Sequence, residues 1–136
     1  MQRQHITLQD ADEVASFYRD TTGMNPDYLP LSGSGGLNLE AVELGELSII
    51  WAAAEGRARW RDEIVGTGVQ LGLALSSDMG MTALGEEIDE RHLMLWRPGC
   101  ELDYVLEGPY LTLEIGLPGS LLEHLGWAPT GPTLRQ

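Results

Sequence analysis

Glycine and proline interrupt this sequence so often that a series of long helices has no room to form. The 136 residues include 17 Gly and 7 Pro, which favour turns over the interiors of helices and strands. Many segments between them alternate apolar and polar side chains, the pattern of a strand with one buried face. Roughly eight or nine such segments follow one another about ten residues apart, which predicts a single all-β domain, a sandwich or barrel.

A hairpin is the clearest local prediction, because residues 37–44 and 47–54 flank the turn at Gly45. The alternation is most regular at residues 69–76, whose small or polar face is Gln70, Gly72, Ala74 and Ser76. That face either points inward and leaves room for a cavity, or points outward and packs under a helix. The other predicted strands cover residues 57–64, 79–84, 92–97, 101–106 and 110–115, with residues 5–8 as a possible first strand.

The last strand offers two faces. The alternation favours an interior lined by Leu111, Leu113 and Ile115. In the alternative register Tyr110 and Thr112 line the interior, and Glu114 is a buried polar anchor. A one-residue shift exchanges the two sets, so the sequence favours the leucine face without excluding the other.

Two helices are predicted outside the strands. Asp10 is a suitable N-cap for a helix over residues 11–21, and Glu13 completes a capping-box pattern. Its apolar face consists of Val14, Phe17 and Tyr18. A second helix begins near Pro118, which helices tolerate in the first turn, and ends at Gly126. Its apolar face consists of Leu121, Leu122 and Leu125.

The charge balance excludes several classes of partner. Twenty-one acidic residues face eight basic ones, all of them Arg, for a formal net charge of −13. Nucleic acids and anionic membranes both require a cationic face, so we expect this chain to bind neither by itself. Cys100 is the single cysteine, which precludes an intrachain disulfide. With no signal-peptide pattern and no membrane-spanning apolar run, we expect a cytoplasmic protein.

Metal binding and catalysis find little support in the residues. The three histidines, His5, His92 and His124, lie far apart, and none belongs to a His-x-His pair, whereas a metal ion needs several converging donors. No Gly-x-Ser-x-Gly nucleophile motif occurs, and Cys100 has no cation beside it in sequence to stabilise a thiolate. We therefore expect no metal, no cofactor and no catalytic residues.

Aromatic residues on the predicted strands are the candidates for ligand binding. A small barrel encloses either packed side chains or one small ligand. Aromatic rings beside a methionine suit an organic molecule, although aromatic residues on strands more often belong to the core. The candidate ligand-binding residues are Trp51, Trp60, Met94, Trp96 and Tyr104.

Arg59 is a further candidate, since it stands with Arg57 and Arg61 on one face of the strand 57–64. Arg binds carboxylates through two parallel hydrogen bonds, so this face fits an anionic effector. The alternative is a solvated face paired with surface carboxylates, which the acidic composition favours.

Six short stretches together resemble the N-terminal regulatory domain of AraC-type transcription regulators, a cupin-like β-barrel. They are Asp10-Ala11-Asp12-Glu13 at the first helix, Leu39-Glu40, Leu44-Gly45-Glu46-Leu47, the strand from Gly68 to Leu75, and Arg97-Pro98-Gly99 with Leu117-Pro118 after it. The resemblance covers about residues 5–127 and implies a cupin-like domain over residues 1–127, followed by a tail or linker over residues 128–136. In the family the barrel binds a small effector and helps the protein to dimerise, while a C-terminal helix-turn-helix domain binds DNA.

The resemblance implies an effector-sensing and oligomerisation module, expected to be a homodimer, that binds a small organic molecule without catalysis. Any contact with DNA would require a C-terminal domain that these 136 residues do not include. The alternatives are a stand-alone, metal-free cupin-like protein, binding a small molecule or acting as an enzyme, and a module that pairs with another chain through its barrel face.

Overall fold

The structure is a computed structural model that describes residues 2–32, 36–54, 56–64, 67–75, 80–83, 86–99, 101–107, 109–127 and 133–135. Cys100 and Ser76 lie outside these residues. The described residues form twelve strands and two helices: β1 (Gln2–Leu8), α1 (Ala11–Thr22), β2 (Asp27–Pro30), β3 (Leu37–Leu44), β4 (Leu47–Ala54), β5 (Arg57–Glu63), β6 (Val69–Ala74), β7 (Gly80–Ala83), β8 (Glu86–Glu87), β9 (Leu93–Trp96), β10 (Glu101–Glu107), β11 (Tyr110–Leu117), α2 (Gly119–Leu125) and β12 (Thr133–Arg135).

The strands form two antiparallel sheets whose inner faces enclose a common core. One sheet has seven strands in the order β1-β3-β4-β11-β6-β9-β12, and the other has five in the order β2-β5-β10-β7-β8. Side chains from both sheets and from α1 belong to one hydrophobic cluster. The mainly β fold with a helix before and a helix after the central strands is therefore confirmed.

The capping prediction for α1 is confirmed in detail. The Asp10 carboxylate accepts a hydrogen bond of 3.0 Å from the Glu13 N–H, and the Glu13 carboxylate accepts one of 2.7 Å from the Gln9 N–H. Gly23 ends the helix with a φ of 72°, a left-handed conformation that glycine adopts without strain. Val14 and Tyr18 are buried in the core, so α1 covers part of the interior.

The second helix packs outside the seven-stranded sheet and forms a separate cluster. Leu122 on α2 is buried with Val69 and Leu95, and Leu71 and Leu117 pack against them. The predicted apolar face of this helix is only partly buried, since 63% of Leu125 is exposed. The outer side of β6 therefore lies against α2, and its small side faces the interior.

Three of the described strands fall outside the strand predictions. β8, only two residues long, pairs with β7. β2 lies at the edge of the five-stranded sheet, where it pairs with β5. Its Pro30 is compatible with an edge position, because an edge strand leaves half of its N–H groups unpaired. β12 pairs with β9 at the edge of the seven-stranded sheet, in the segment that the sequence analysis assigned to a tail or linker.

The prediction that Leu111, Leu113 and Ile115 form the inner face of the last strand, β11, was wrong. Thr112 and Glu114 are buried, whereas 37% of Leu111 is exposed, and Leu113 and Ile115 are half-buried on the outer side. The alternation is present, but its polar side points inward. A hydrogen bond from Tyr18 to Glu114 compensates for part of the cost of burying this carboxyl group.

Candidate functional site

Glu114 lies on the inner face of the seven-stranded sheet among small and apolar neighbours. Strand pairing places it opposite Ile50 on β4 and Gly72 on β6, and Gly72 lies opposite Met94 on β9. A Cβ atom on Gly72 would lie only 2.5 Å from the indole ring of Trp96. The absence of a side chain at Gly72 therefore allows the Trp96 ring to lie directly over β6.

Aromatic rings from both sheets and from α1 surround the rest of the interior. Trp60 on β5 lies opposite Tyr104 on β10, and their rings are parallel within 1° with centroids 6.2 Å apart. Trp96 approaches Tyr104 edge-on at 5.7 Å, and Tyr18 approaches Trp60 edge-on at 5.4 Å. Four rings from two strands of one sheet, one strand of the other and α1 thus surround the interior.

A small cavity lies between these rings and Glu114; we call it the chamber. Its volume is about 20 Å³, enough for roughly one water molecule. Pockets for drug-sized ligands measure about 300–1,000 Å³, so a larger molecule enters only if side chains move. The chamber is lined by Tyr18, Ala52, Trp60, Gly72, Met94, Trp96, Tyr104, Leu106, Thr112 and Glu114.

Two buried carboxyl groups are each held by a tyrosine. The Tyr18 hydroxyl donates a hydrogen bond of 2.7 Å to Oε2 of Glu114, and the Tyr104 hydroxyl donates one of 2.5 Å to Oδ2 of Asp62. Asp62 is completely buried, and Glu114 is 7% exposed. No charged partner is recorded for either carboxyl among the described residues.

Burial raises the pKa of both carboxyl groups to values near physiological pH. Desolvation raises the pKa of Glu114 to about 8, and the negative charge of Asp62 adds to this rise, while the hydrogen bond from Tyr18 opposes it. Desolvation also raises the pKa of Asp62 to about 7, against the hydrogen bond from Tyr104. Both groups therefore titrate in the pH range in which general acids and bases act, and the charge of one affects the pKa of the other.

Several polar atoms in this region are buried without a partner among the described residues. They are Nε1 of Trp60, Nε1 of Trp96, Oδ1 of Asp62 and both amide atoms of Gln70. An unpaired buried polar group costs about 1–3 kcal/mol, and native structures contain few of them. Such a concentration on the interior side of one barrel calls for a binding partner or an ordered water.

The structure brings four of the predicted ligand-binding residues together and leaves two elsewhere. Trp60, Met94, Trp96 and Tyr104 all line the chamber. Trp51 is half-buried on the outer face of β4, opposite Leu113 of β11. Arg59 lies on the exposed face of β5, because the strand turns Trp60 inward and its neighbours outward.

The exposed arginines form ion pairs across the five-stranded sheet. Arg59 binds both carboxylate oxygens of Asp103 at 2.5 and 3.0 Å. Arg57 pairs with Glu107 at 3.0 Å, and Arg61 pairs with Glu101 at 2.9 Å. This face matches the alternative of a solvated surface on which the arginines pair with carboxylates. The guanidinium group of Arg59 is directed at Asp103 on β10.

Tyr18, Asp62 and Glu114 belong to the site but were not among the predicted site residues. Asp62 continues the inward alternation of Ala58 and Trp60, so its position on that face was readable from the sequence. Tyr18 and Glu114 lie 96 residues apart, and the sequence carries no signal that they meet.

Within the described residues, no group of three or more His, Cys, Asp or Glu side chains is arranged to hold a metal ion. His5 and His124 are exposed, and His92 is hydrogen-bonded to Asp89. No helix in the described part of the chain has the length and apolar character needed to cross a membrane.

An open groove lies beside α2, on the other side of the seven-stranded sheet. Its volume is about 480 Å³, and Val69, Arg97, Leu122 and Trp127 are among its lining residues. Nε of Arg97 is buried there with no partner among the described residues. The groove is large enough for a small organic molecule, but its wide opening leaves such a molecule partly in water.

No family model matches the sequence, and no curated protein matches it significantly. Solved structures do resemble it. The AraC-like transcriptional activator CuxR superposes with a TM-score of 0.64 at 14% identity, over 92% of this chain and 51% of the CuxR chain. The cupin domain of Cnp3 from Schizosaccharomyces pombe matches with a TM-score of 0.44 at 9% identity, over 68% of this chain and 73% of its own. A putative ethanolamine utilization protein Q from Salmonella typhimurium LT2 matches with a TM-score of 0.40 at 11% identity, over 71% of this chain and 98% of its own.

At 14% identity the CuxR superposition concerns the fold alone. This chain spans about half the length of CuxR. The resemblance to AraC-type regulators is confirmed at this level: the chain is a cupin-like barrel with one helix before it and one after it, a fold it shares with part of an AraC-like activator.

Proposed function

We propose that this chain is the effector-sensing and oligomerisation module of an AraC-type transcription regulator, and that it binds a small molecule in the chamber without transforming it. The observation that carries the proposal is a set of buried polar atoms with no partner among the described residues. The indole nitrogens of Trp60 and Trp96 belong to residues that line the chamber, and the atoms of Asp62 and Gln70 are buried elsewhere. A core selected only for stability would replace such groups by apolar ones. The fold shared with an AraC-like activator supports the regulatory setting.

The helix α1 contributes one residue to the chamber, so a change in the chamber can alter the position of this helix. Tyr18 is an α1 residue that both lines the chamber and donates to Glu114. A ligand that takes over Glu114 as its own partner removes this bond and one of the contacts that hold α1 on the sheets. In the proposed mechanism, ligand binding therefore shifts the position of α1, which carries the signal to the rest of the protein.

Ligand entry requires the rings to move. The chamber holds about one water in the structure, so the binding-competent state is an opened one. The apparent affinity is reduced by the fraction of molecules that are open. Met94, a flexible side chain beside the chamber, is suited to this rearrangement.

The outer face of the seven-stranded sheet supports the oligomerisation part of the proposal. Leu75 and Leu111 are 42% and 37% exposed, and Trp51, Leu73 and Leu113 beside them are half-buried. Trp51 lies on β4, Leu111 and Leu113 lie on β11, and Leu73 lies on β6 with Leu75 directly after that strand; the three strands are adjacent in the sheet. A contiguous apolar surface of this kind is typical of protein–protein contacts, and we propose that two copies of the chain meet there.

In this proposal DNA is bound by a segment outside these 136 residues, because a net charge of −13 disfavours contact with phosphates. The proposed setting is the cytoplasm, where a transcription regulator meets DNA.

The second candidate is an enzyme or a stand-alone binding protein with the same barrel. Asp62 and Glu114, with pKa values of about 7 and about 8, are suited to general acid–base work. We rank this candidate second because the superposition with a TM-score of 0.64 is with an AraC-like activator and not with an enzyme.

Indole N–H signals from the four tryptophans provide a test that separates these functions. Trp60 and Trp96 report on the chamber, Trp51 on the outer sheet face and Trp127 on the groove beside α2. We expect a library of small polar molecules, screened by 15N NMR and thermal shift, to give a stabilising compound that moves the Trp60 and Trp96 signals. The compound is expected to remain chemically unchanged after prolonged incubation.

Other outcomes would contradict the proposal in distinct ways. A compound that moves only the Trp127 signal locates the effector in the groove beside α2. Conversion of the compound to a product, abolished by Glu114→Gln, makes the protein an enzyme. A library in which no compound moves the Trp60 or Trp96 signals contradicts effector binding in the chamber, whereas Trp51 signals that move with protein concentration support the oligomerisation part alone.

A further inference from the structure

The chamber is lined by an acidic residue and by no basic one. Its lining contains one carboxyl group, Glu114, and the second, Asp62, is held next to it through Tyr104. None of the lining residues is basic. The arginines on β5 point to the exposed face, and Arg97 lies at the groove beside α2. An anionic ligand in the chamber would therefore face two acidic groups with no counter-charge, which is strongly unfavourable in a buried site.

The same walls are favourable for a cation. Trp60, Trp96, Tyr104 and Tyr18 surround the chamber, and aromatic faces attract cations through the ring quadrupole. Tryptophan is the strongest of these rings, and desolvation strengthens the attraction. Two of the four rings belong to tryptophans that are at least 96% buried.

Acceptor atoms complete the arrangement. Oδ1 of Asp62 is completely buried and has no partner among the described residues, and Glu114 borders the chamber directly. An ammonium group has three N–H donors and takes up roughly the space of the single water that the chamber admits. The unpaired indole N–H groups of Trp60 and Trp96 are donors, so they complement an acceptor atom elsewhere on the same ligand.

From these features we propose that the chamber binds a small organic amine in its cationic form, with the ammonium group between the Glu114 carboxylate and the aromatic rings, and with a hydroxyl or carbonyl oxygen accepting from an indole N–H. This inference rests on the proposed function, since it names the chemical class of the effector.

Binding of a cation is coupled to proton release. The carboxyl that pairs with the ammonium gives its proton to the solvent, and no other bond forms or breaks. The titratable groups that face Glu114 are Tyr18 from α1, Asp62 from β5 and Tyr104 from β10. Because burial keeps Glu114 protonated below pH 8, the affinity rises from pH 6.5 to pH 8.5.

The test uses ethylammonium chloride as probe, with ethanol as its neutral analogue, sodium acetate as an anion and sodium chloride as a control for ionic strength. At pH 8.5 we expect ethylammonium alone to move the Trp60 and Trp96 indole signals and to raise the Tm by about 3 °C at saturation. The dissociation constant should be at least about fivefold lower at pH 8.5 than at pH 6.5. Titration calorimetry in two buffers of different ionisation enthalpy should show the released proton.

Glu114→Gln should weaken ethylammonium binding by about tenfold or more, while Glu43→Gln, a matched change at an exposed carboxylate of β3, should leave it unchanged. Thermal unfolding of unliganded Glu114→Gln checks that the variant is folded. Binding of ethanol as strong as that of ethylammonium would overturn the amine assignment and leave the effector function intact. Failure of ethylammonium to move the Trp60 or Trp96 signals would also overturn it, and the library screen would then decide the proposed function separately.

Discussion

The Tyr18 hydroxyl donates a hydrogen bond of 2.7 Å to the buried carboxyl of Glu114, and the two residues lie 96 positions apart. This bond joins α1 to the middle strand of the seven-stranded sheet. It is also the point at which helix, sheet and chamber meet, since both residues line the chamber. Its strength therefore affects the stability of the fold and the state of the candidate site together.

Tyr18→Phe removes the hydroxyl but keeps the ring. We expect the free energy of unfolding to fall by about 1–3 kcal/mol, because Glu114 loses its donor in a buried position. The pKa of Glu114 should rise further, since the hydrogen bond from Tyr18 lowers it. Urea unfolding measures the first effect. A double-mutant cycle with Glu114→Gln isolates the pair, and additive effects in that cycle would show that the bond contributes nothing.

Stability should decrease as the pH rises, in a range set by Glu114. Below the ordinary pKa of 4.5 the folded and unfolded states both carry the proton. Between 4.5 and about 8 only the folded state retains it, so each pH unit costs about 1.4 kcal/mol for one fully shifted carboxyl. Above pH 8 this contribution is constant, because both states are ionised.

Glu114→Gln should make the decline in Tm between pH 5 and pH 8 shallower, since the amide does not titrate, and the decline that remains up to about pH 7 comes from Asp62. Glu43→Gln, at an exposed site, should leave the slope unchanged and serves as the control. A wild-type Tm that is constant or rising across this range would show that Glu114 does not keep its proton on folding.

Gly72→Ala should force the Trp96 ring out of its position. The added Cβ would lie 2.5 Å from the ring, and overpacking of this kind costs about 1–3 kcal/mol. The Trp96 indole signal and the urea midpoint are the measurements. Combining Gly72→Ala with Trp96→Leu should relieve part of the clash, and a penalty that is fully additive in the double variant would contradict the contact.

Leu111→Glu tests the outer face of the seven-stranded sheet. The side chain is 37% exposed, so folding should tolerate the charge, whereas a dimer formed through this face should dissociate. Light scattering coupled to size exclusion measures the mass. Leu29→Glu, at a leucine 52% exposed on the other sheet, is the matched control and should leave the mass unchanged. A wild-type protein that is monomeric at high concentration would contradict the proposal that two copies meet at this surface.

Much of the fold could be predicted because its signals are local. The turn at Gly45 and the alternation around it fix β3 and β4, and the Asp10 side chain begins α1 where the capping pattern predicted it. β2 carried too few residues for a pattern, since its four residues include Pro30. Its strand conformation depends on β5, with which it pairs.

The candidate site, like the fold, could be predicted only in part. Trp60, Met94, Trp96 and Tyr104 could be chosen from the sequence because large aromatic and sulfur-containing side chains on strands tend to lie inside. Trp51 satisfied the same rule but lies on the outer face. Arg59 had the chemistry to bind an anion, but Asp103 on the neighbouring strand already occupies its guanidinium group.

The sequence by itself determined where both helices and most of the strands lie, because turns, caps and alternation act over a few neighbouring residues. Only the tertiary structure decided which side of β11 faces inward, since both sides carry side chains that a core accepts. The leucine side lies outside, where neighbouring strands present further apolar groups, and the polar side lies inside, where a tyrosine from α1 reaches Glu114. A pattern of period two identifies two faces, but burial of an acid depends on a partner that folding brings from a distant part of the chain.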